Sequence, residues 1–310
     1  MKVLLTGGAG FIGSHITDRL VEEAHGVVVI DNLSTGYQRN VNPHAKFYKI
    51  DITDAEALDQ VFALEKPNIV SHHAAQVDVR RSMDDPKFDA TVNVLGILNI
   101  LQLCVKYKAK KIVFASTSAV FNEPVYLPMD ERHPVDPLSA YGVTKYTAEL
   151  YLRLYSETYG LRYTAFRYGN VYGPRQDPHG ECGVVAIFSE QMLTGVQPTI
   201  FGDGSKTRDY IFVDDIVQAN MIAMSGLGDG EVFTLGWGKE ITDFEVFDTV
   251  RKAVNIQVEP IYSKKRPGEV DRICLDSSKA QDQLKWKPKV DFREGIPLAV
   301  EYYRSLHTAG

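Results

Sequence analysis

A tyrosine and a lysine near the middle of the chain have the residue types and the spacing for proton transfer. Tyr141 and Lys145 stand four positions apart in Tyr-Gly-Val-Thr-Lys, so on a helix they share one face. A free phenol titrates near ~10, but a nearby ammonium favours the phenolate and lowers its pKa. We therefore predict that Tyr141 transfers a proton with the help of Lys145. The spacing alone also fits an ordinary pair on a surface helix.

Hydroxyl side chains precede this pair at the end of a predicted strand. The strand over Lys111–Ala115 runs into Ser116, Thr117 and Ser118. Because ligands bind at the carboxyl ends of parallel strands, a hydroxyl there is expected in the catalytic crevice. Ordinary loop hydrogen bonding is the alternative for Ser116 and Ser118.

A glycine-rich turn near the N-terminus could bind a phosphate. Gly7, Gly10 and Gly13 lie between the first apolar run and a helical pattern. In this arrangement the first glycine permits a tight turn, the second lets the backbone approach a pyrophosphate, and the third allows close helix–strand packing. Asp31 ends the next predicted strand, where a carboxylate can accept hydrogen bonds from adenosine ribose and repel a 2′-phosphate. Together these residues predict a dinucleotide site that prefers NAD to NADP.

Two further segments are expected to complete the cofactor groove. Asp51 and Ile52 follow the third predicted strand and could contact adenine. The segment after the fourth strand has small residues that let its backbone approach the cofactor; it consists of His73, Ala74, Ala75 and Gln76. His72 and His73 would point to opposite faces of a strand, so the pair does not predict a metal site.

These groups depend on an alternation of strands and helices in the first half of the chain. The predicted strands are Val3–Thr6, Val27–Asp31, Lys46–Lys49, Ile69–His72, Lys111–Ala115 and Tyr163–Arg167. The predicted helices are Ile12–Glu23, Ala55–Ala63, Phe88–Tyr107 and Tyr141–Tyr159. Such alternation indicates βαβ units and a parallel sheet. We predict an α/β fold with a Rossmann-type doubly wound sheet over 1–168. A smaller α/β substrate domain over 169–310 is expected to return some segments to that sheet.

Composition narrows the class of protein. The chain has 310 residues, 44% of them hydrophobic, and a net charge of -6, which argues against a general nucleic-acid binder but leaves room for a local basic pocket. The three cysteines, Cys104, Cys182 and Cys274, form no CxxC pair and suit reduced thiols. No apolar run approaches the ~20 residues of a membrane span. We expect a cytoplasmic protein that binds neither membrane nor nucleic acid.

Several motifs together resemble one known family. The chain is similar over nearly its whole length to the extended short-chain dehydrogenase/reductases and, within them, to the UDP-glucose 4-epimerases. The matching segments are TGGAGFIGSH (6–15), DNLSTG (31–36), HHAAQ (72–76), VNVLG (92–96), YGVTK (141–145), RYGNVYGPRQDP (167–178), PTIFGDGSKTRDYIFVDD (198–215) and RPGEV (266–270).

The resemblance implies a tightly held NAD and a UDP-sugar substrate. Tyr141 would accept the proton of the sugar 4′-hydroxyl while C4′ delivers hydride to the nicotinamide. Thr117 would hydrogen-bond the same oxygen, and Lys145 would hold the nicotinamide ribose. The 4-keto sugar would then rotate and take the hydride back on its other face, which interconverts UDP-galactose and UDP-glucose.

The resemblance also implies two sets of contacts. The cofactor set is Gly7, Gly10, Phe11, Ile12, Gly13, Asp31, Asn32, Ser34, Thr35, Gly36, Asp51, Ile52, His73, Ala74, Ala75, Gln76, Asn93, Ser116, Tyr141, Lys145 and Tyr168. The substrate set is Thr117, Tyr141, Asn170, Val184, Val185, Thr199, Ile200, Phe201, Arg208, Tyr210, Arg266 and Glu269. In the second set, 199–201 would hold the uracil, the two arginines would neutralise the pyrophosphate, and Glu269 would accept from the uridine ribose. Phe201 and Tyr210 also fit the role of core aromatics.

Three differences from related families concern the loop that begins at Thr117. Related 4,6-dehydratases have Asp-Glu directly after the catalytic threonine, whereas this chain has Ser118-Ala119, so water elimination lacks its acid and base. Decarboxylase relatives have a glutamate near the same loop, and here none precedes Glu123. Phe121-Asn122 replaces the common Tyr-Gly, a change in the loop beyond the reacting hydroxyl.

Two alternatives to the leading activity stay open. One is 4-epimerisation of an N-acetylated or uronic UDP-sugar; the size-gating position falls at Ile273 or Cys274, and neither residue decides the question. The other is a non-catalytic protein that binds NAD or a nucleotide sugar. Such proteins usually lose the tyrosine or the lysine, and this chain keeps both.

Apolar helix surfaces predict self-association. The predicted helix Phe88–Tyr107 is apolar nearly all round, and Tyr141–Tyr159 carries Leu150, Leu152 and Leu154. A helix of this kind is buried on more than one side. Pairing of both helices with their symmetry mates, as in related enzymes, predicts a homodimer; burial beneath the C-terminal domain is the alternative.

Overall fold

The computed structural model describes residues 1–179, 183–266 and 269–308. Its strands are β1 (Lys2–Thr6), β2 (Gly26–Ile30), β3 (Lys46–Tyr48), β4 (Ile69–His72), β5 (Lys111–Thr117), β6 (Arg162–Tyr168), β7 (Asn170–Tyr172), β8 (Thr199–Phe201), β9 (Thr207–Arg208), β10 (Tyr210–Phe212), β11 (Glu231–Leu235), β12 (Ile241–Thr242) and β13 (Ile261–Ser263). Its helices are α1 (Phe11–Glu22), α2 (Ala55–Glu65), α3 (Val79–Asp84), α4 (Pro86–Ala90), α5 (Gly96–Lys106), α6 (Ala140–Tyr159), α7 (Val184–Leu193), α8 (Val213–Met224), α9 (Asp243–Val254), α10 (Ser278–Leu284) and α11 (Phe292–Thr308).

Seven parallel strands form the central sheet, in the order β11-β6-β5-β4-β1-β2-β3. Successive side chains of a strand point to opposite faces, so Leu4 packs into one helical layer while Val3 and Leu5 pack into the other. Strand order reverses between β1 and β4, and a crevice opens at such a switch point, outside the carboxyl ends of the strands. The predicted Rossmann-type doubly wound α/β fold is confirmed.

The second half of the chain forms small paired strands around a third core. β10 pairs with β7, β13 with β8, and β12 with β9. Helices α7, α9 and α11 pack together beside them. Strand β11 pairs with β6, and α8 packs on α1, so two elements beyond residue 168 belong to the layers of the central sheet.

The predicted helix Phe88–Tyr107 differs in detail. It begins at Pro86, and a π-helical turn over Thr91–Leu95 separates α4 from α5. An apolar pattern that runs nearly all round a helix does not reveal such a local change of pitch, and π-turns occur often at functional sites. This one carries Asn93.

The same helical stretch corrects the expectation about membrane-length segments. By length and composition alone Pro86–Lys106 could cross a membrane, with a mean hydropathy of 1.6, and 44% of its apolar window is buried inside the fold. A core helix meets the same criteria. Here α5 contributes Ile97, Ile100 and Leu101 to the core beneath the sheet.

Candidate active site

The glycine-rich turn joins β1 to α1 at the crevice. Gly7 has a φ of +72°, and a Cβ there would lie 2.6 Å from the Ala74 nitrogen, so only glycine fits beside the segment that follows β4. A Cβ on Gly13 would lie 2.2 Å from the Gly7 oxygen, which brings α1 directly against the turn. At Gly10 a Cβ would approach only the Gly7 oxygen, at 3.2 Å. The turn is therefore open at Gly10, beside the first-turn N–H groups of α1, which lack partners within the helix and suit a phosphate.

Asp31 ties the loop after β2 to this turn. Its carboxylate accepts hydrogen bonds from the backbone N–H groups of Ala9 (3.0 Å) and Leu33 (2.8 Å). Burial raises the pKa of Asp31, and these two bonds oppose the rise. Each carboxylate oxygen keeps a further lone pair for a ribose hydroxyl. The neighbouring Asn32 donates to Asp51 at 2.7 Å.

The outer rim of the groove has exposed and buried parts. Asn32, Ser34 and Thr35 are exposed, and Gly36 packs against the turn at Ala9. Ile52 is buried, and its side chain packs where a Cβ on Gly96 would stand. Only the backbone of Ile52 is therefore placed to meet an adenine.

Tyr141 and Lys145 occupy the first turns of α6. Ser139 caps this helix by accepting from the Gly142 N–H at 3.1 Å, and the Tyr141 N–H donates to the Ser82 hydroxyl at 3.1 Å. The Lys145 side chain is buried, with 4% of the residue exposed, and its Nζ donates to the Ala115 carbonyl at 2.8 Å. Nζ lies 5.9 Å from the centre of the Tyr141 ring. The structure thus brings the predicted pair together at the end of β5.

Burial sets the charge state of the groups around Lys145. It lowers the pKa of Lys145 to about 8, against the attraction of Asp89 and Glu149. It also lowers the pKa of His73 to about 3, assisted by the charge of Lys145. At neutral pH the lysine is therefore mostly an ammonium and the histidine is neutral.

The end of β5 carries the predicted hydroxyl. Thr117 is the last residue of β5, stays partly exposed, and pairs in register with Tyr168 of β6. The Thr117 Oγ accepts from the Ala119 N–H at 3.1 Å, so its hydroxyl hydrogen is available to a ligand. Tyr168 stacks on His73 with ring centres 6.4 Å apart and accepts from Asn220 at 2.9 Å. His72 is bonded separately, to the Thr6 hydroxyl at 2.7 Å.

The predicted substrate side carries a cluster of charged residues around the start of α9. The Arg266 guanidinium stacks over Phe201 at 3.6 Å from the ring centre. Glu269 forms ion pairs with Lys206 and, at 4.0 Å, with Arg266. The Arg208 Nη1 donates to the Thr207 carbonyl at 2.8 Å. Among the described residues it forms no close ion pair, although its charge opposes the rise that burial causes in the pKa of Asp243. A site with cations of this kind suits a diphosphate.

The sequence profile of the NAD dependent epimerase/dehydratase family matches residues 3–236. The chain belongs to this family. A protein of Methanocaldococcus jannaschii named putative UDP-glucose 4-epimerase is 47% identical over 98% of both chains. The structure of the UDP-glucose 4-epimerase of Thermotoga maritima with UDP-glucose is 46% identical, with a TM-score of 0.97 over 99% of this chain and 100% of the other. The Thermus thermophilus enzyme in complex with NAD is 42% identical, with a TM-score of 0.93 over 98% and 99%.

Some residues that the family resemblance assigned to the substrate lie in the core. Val185, Ile200 and Tyr210 are buried. The Tyr210 ring packs 5.3 Å from the Phe292 ring, which is the core role that the sequence left open. Their side chains belong to packing, whereas those of Asn170, Val184 and Thr199 remain partly exposed.

Two predicted cofactor contacts of this epimerase-family chain use their side chains elsewhere. The Asn93 amide brackets the backbone of Gln76, accepting from its N–H at 2.9 Å and donating to its carbonyl at 3.0 Å. The Ser116 hydroxyl donates to Glu149 at 2.5 Å. Asn93 therefore shapes the groove by holding Gln76, and only the backbone of Ser116 is placed to contact a cofactor.

The sequence analysis missed Asp89, a buried carboxylate on α4. It accepts hydrogen bonds from Thr144 (2.7 Å), Gln76 (2.8 Å) and Asn93 (3.1 Å). All three donors are neutral, and Thr144 directly precedes Lys145. Asp89 thus joins the groove segment after β4 to helix α6. An acidic residue inside an otherwise apolar helix was the available signal, because buried carboxylates usually have a specific partner.

Sequence reasoning also missed a buried ion pair behind Lys145. Arg167 donates to both oxygens of Glu149, through Nε at 3.0 Å and Nη2 at 2.7 Å. Its guanidinium lies 5.1 Å from the Phe121 ring. The bidentate pairing compensates Glu149 within the protein, whereas Asp89 has only neutral donors. Asp89 is therefore the less compensated of the two carboxylates that favour the charge of Lys145.

Proposed function

We propose that the protein interconverts UDP-galactose and UDP-glucose by NAD-dependent oxidation at C4′, rotation of the keto sugar, and re-reduction on the opposite face. The observation that carries the proposal is the buried Lys145 beside Tyr141 at the carboxyl end of β5, in the same crevice as the glycine-rich turn. Relatives that match the chain over nearly their whole length are named UDP-glucose 4-epimerase or putative UDP-glucose 4-epimerase.

The groove fits NAD. Gly10 leaves the turn open where a phosphate would approach, the first-turn N–H groups of α1 face that opening, and Asp31 stands at the end of β2 for the adenosine ribose. A carboxylate at that place disfavours the 2′-phosphate of NADP. Bound NAD would accept hydride from C4′ and return it.

The chain's own residues would move the proton. Tyr141 would accept the proton of the 4′-hydroxyl, because the ammonium of Lys145 stabilises the phenolate beside it. Thr117 would donate its hydroxyl hydrogen to the same sugar oxygen. Lys145 would also reach the nicotinamide ribose from the end of β5. On return of the hydride, Tyr141 would give the proton back, so the net reaction is an isomerisation.

The charged cluster of the second half would bind the nucleotide. Arg208 and Arg266 would neutralise the pyrophosphate, Phe201 would contact the uracil, and Glu269 would accept from the uridine ribose. Arg208 supports this assignment, since its guanidinium forms no close ion pair among the residues described, although its charge acts on the nearby Asp243. A ligand with two phosphate charges would supply one.

The loop after Thr117 favours epimerisation over dehydration. Ser118 and Ala119 follow the threonine, so no carboxylate stands there to remove a proton or protonate a leaving hydroxyl. Glu123 further along accepts from the Asp271 N–H at 2.7 Å. That contact holds the first glutamate after Thr117 in the sequence against the C-terminal segment.

The test is proton NMR of UDP-galactose incubated with the purified protein and no added cofactor. UDP-glucose should appear, should be absent with Tyr141→Phe, and should persist with Tyr159→Phe, a matched change at an exposed end of the same helix. If no UDP-glucose forms even after NAD is added, the proposal is overturned. UDP-N-acetylglucosamine and UDP-glucuronate are then the substrates to try, in that order.

We propose further that the protein is a homodimer through α5 and α6. Helix α6 exposes Val143 (48%), Leu150 (41%) and Leu154 (49%), and the π-helical turn directly before α5 exposes Leu95 (53%). The stretch Pro86–Lys106, which includes Leu95 and α5, is also apolar enough to meet membrane criteria. Exposed apolar side chains of this kind favour burial against the same surface of a second copy, as a twofold axis requires.

Light scattering after size exclusion tests the dimer. We expect twice the 34.7 kDa of one chain. The double variant Leu150→Glu with Leu154→Glu should run as one chain, and Leu298→Glu, which alters an exposed leucine of α11, should not. A wild-type species of one chain mass contradicts the proposal.

The location that we propose is the cytoplasm, where the reaction would serve galactose metabolism. Cys104 and Cys274 are free, buried thiols, as expected where thiols stay reduced. Cys182 lies outside the described residues. Cell fractionation with an antibody tests the location; recovery in the membrane pellet would contradict it.

A further inference from the structure

Lys206 lies in the loop between β8 and β9, and its side chain contacts Glu269. Only 12% of its side chain is exposed, against 28% for Glu269. Its ammonium forms an ion pair with Glu269 and lies 3.6 Å from the Asp243 carboxylate. Its backbone carbonyl accepts from the Asp243 N–H at 3.0 Å, which fixes the loop to the start of α9. The backbone of Lys206 is therefore held in place, and its ammonium bridges two carboxylates.

The two carboxylates that Lys206 bridges belong to different parts of the structure. Asp243 is the first residue of α9 and is held in place by that helix. Glu269 belongs to the segment that follows Arg266, and its other ion pair, with the Arg266 Nη1, is long at 4.0 Å. Burial raises the pKa of Asp243 and the negative charge of Glu269 adds to the rise, whereas the charges of Lys206 and Arg208 oppose it. Without the ammonium, the two acids would repel each other and Glu269 would lose its main anchor.

We propose that Lys206 is a positioning residue that aims Glu269 at the ribose of the nucleotide sugar and so sets a preference for ribonucleotide over 2′-deoxyribonucleotide substrates. The inference rests on the proposed function, in which Glu269 accepts from that ribose. A carboxylate fixed from behind presents its remaining lone pairs in one direction, where two vicinal hydroxyls can donate to them. A substrate that lacks one hydroxyl leaves an acceptor unpaired, and this is how such sites discriminate.

The experiment compares UDP-galactose with its 2′-deoxyuridine analogue in steady-state kinetics. Wild-type protein should favour the ribonucleotide by about ten-fold or more in kcat/KM, the value of one lost hydrogen bond to a charged acceptor. Lys206→Met should reduce this preference to about two-fold, through a higher KM for UDP-galactose, with kcat within about two-fold of wild type. Lys206→Arg keeps the charge and should keep most of the preference.

Lys252→Met is the matched control, because Lys252 forms an ion pair with Asp248 on the exposed side of α9. It should leave the preference unchanged. If Lys206→Met does not fold, Lys206→Gln, which is neutral but polar, takes its place. The proposal is overturned if Lys206→Met keeps the wild-type preference for the ribonucleotide. It is also overturned if Lys206→Met lowers kcat and leaves KM unchanged.

A failure of the proposed function is separable from a failure of this inference. If wild-type protein converts neither sugar nucleotide, calorimetric binding of UDP and 2′-deoxy-UDP takes the place of kinetics. Tighter binding of UDP to wild type than to Lys206→Met, with equal binding of the deoxy compound, supports the role of Lys206. Equal loss for both ligands overturns it.

Discussion

Lys145 and Arg208 are both cations of the candidate site, but they differ in burial and in the groups that surround their charges. Lys145 is buried, donates to the Ala115 carbonyl, and lies within the field of Asp89 and Glu149. Arg208 is partly exposed, and among the described residues its guanidinium donates only to the Thr207 carbonyl, while its charge acts on Asp243 without a close ion pair. The first cation is balanced by buried groups of the protein, whereas the second is the one proposed to bind an anion from outside. Groups that act on the reacting atoms need a preset charge state, whereas groups that bind a diphosphate gain from being uncompensated.

This contrast extends to the neighbours of each cation. On the sheet side, Asp89 accepts hydrogen bonds from other elements of the fold, and Glu149 accepts two from the buried Arg167. On the substrate side, Lys206 and Glu269 pair across a partly exposed loop. Changes on the sheet side should therefore appear in kcat and in stability, and changes on the substrate side in KM.

The largest expected effect is that of Lys145→Met. Loss of the ammonium leaves Tyr141 with the weak basicity of an ordinary phenol, so kcat should fall about 10²–10⁴-fold. Burial of the ammonium costs free energy, so a methionine of similar length should leave the melting temperature unchanged or raise it. Kinetics and thermal unfolding of one preparation measure both. A fall in activity that parallels a fall in melting temperature would mean that Lys145 is mainly structural.

Asp89→Asn should come next, with about a 10- to 100-fold loss of kcat. Asparagine keeps the shape but removes the charge that favours the Lys145 ammonium, so the pKa of Lys145 should fall further below about 8. At pH 6 Lys145 is protonated in both proteins, whereas near pH 8 it has lost its proton more often in Asp89→Asn. The loss of kcat relative to wild type should therefore grow between pH 6 and pH 8. Rate profiles over this range measure it. An equal deficit at both pH values would show that Asp89 acts through packing alone.

The sheet side was largely predictable because its signals are local. The glycine spacing, the apolar runs of β1 and β2, and the pair at positions 141 and 145 each lie within one element. The partners of Asp89 do not: Gln76 and Thr144 are 13 and 55 positions away. Lys206 and Glu269 are 63 positions apart. Contacts of this kind depend on how elements dock, and no pattern within a segment specifies them.

Arg208→Met tests the substrate side. The partly exposed guanidinium forms no close ion pair among the described residues, and Lys206 still lies 3.6 Å from the Asp243 carboxylate, so stability should change little. Loss of one charge from the diphosphate site should raise KM about ten-fold and leave kcat within about three-fold. Steady-state kinetics with UDP-galactose measures KM and kcat separately. Arg272→Met is the control, because Arg272 is exposed and pairs with Glu240. A fall in kcat at unchanged KM would place Arg208 with the reacting groups and weaken the contrast drawn above.

The smallest effect is expected from Glu65→Gln, at the opposite end of the sheet from the site. Glu65 is buried and accepts from Tyr48, Lys46 and Lys2; these bonds outweigh the effect of burial and lower its pKa to about 2. A carboxyl whose pKa is lowered in the folded protein stabilises the fold at pH values above its unfolded pKa of 4.5. This stabilisation is lost as the pH falls toward 2. The free-energy gap between wild type and Glu65→Gln should therefore be largest at pH 7 and shrink below pH 4.5.

Denaturant unfolding at pH 7, 4.5 and 3 measures this gap, and kcat at pH 7 should stay within about two-fold of wild type. Glu65→Gln is thereby the control for Asp89→Asn, since both remove a buried carboxylate and only one of them lies beside Lys145. If both variants lose stability equally while only Asp89→Asn loses activity in a pH-dependent way, the charge of Asp89 acts on the site itself. If Glu65→Gln lowers kcat as much as Asp89→Asn does, loss of either buried carboxylate lowers activity through stability. The position of Asp89 near Lys145 then has no special effect.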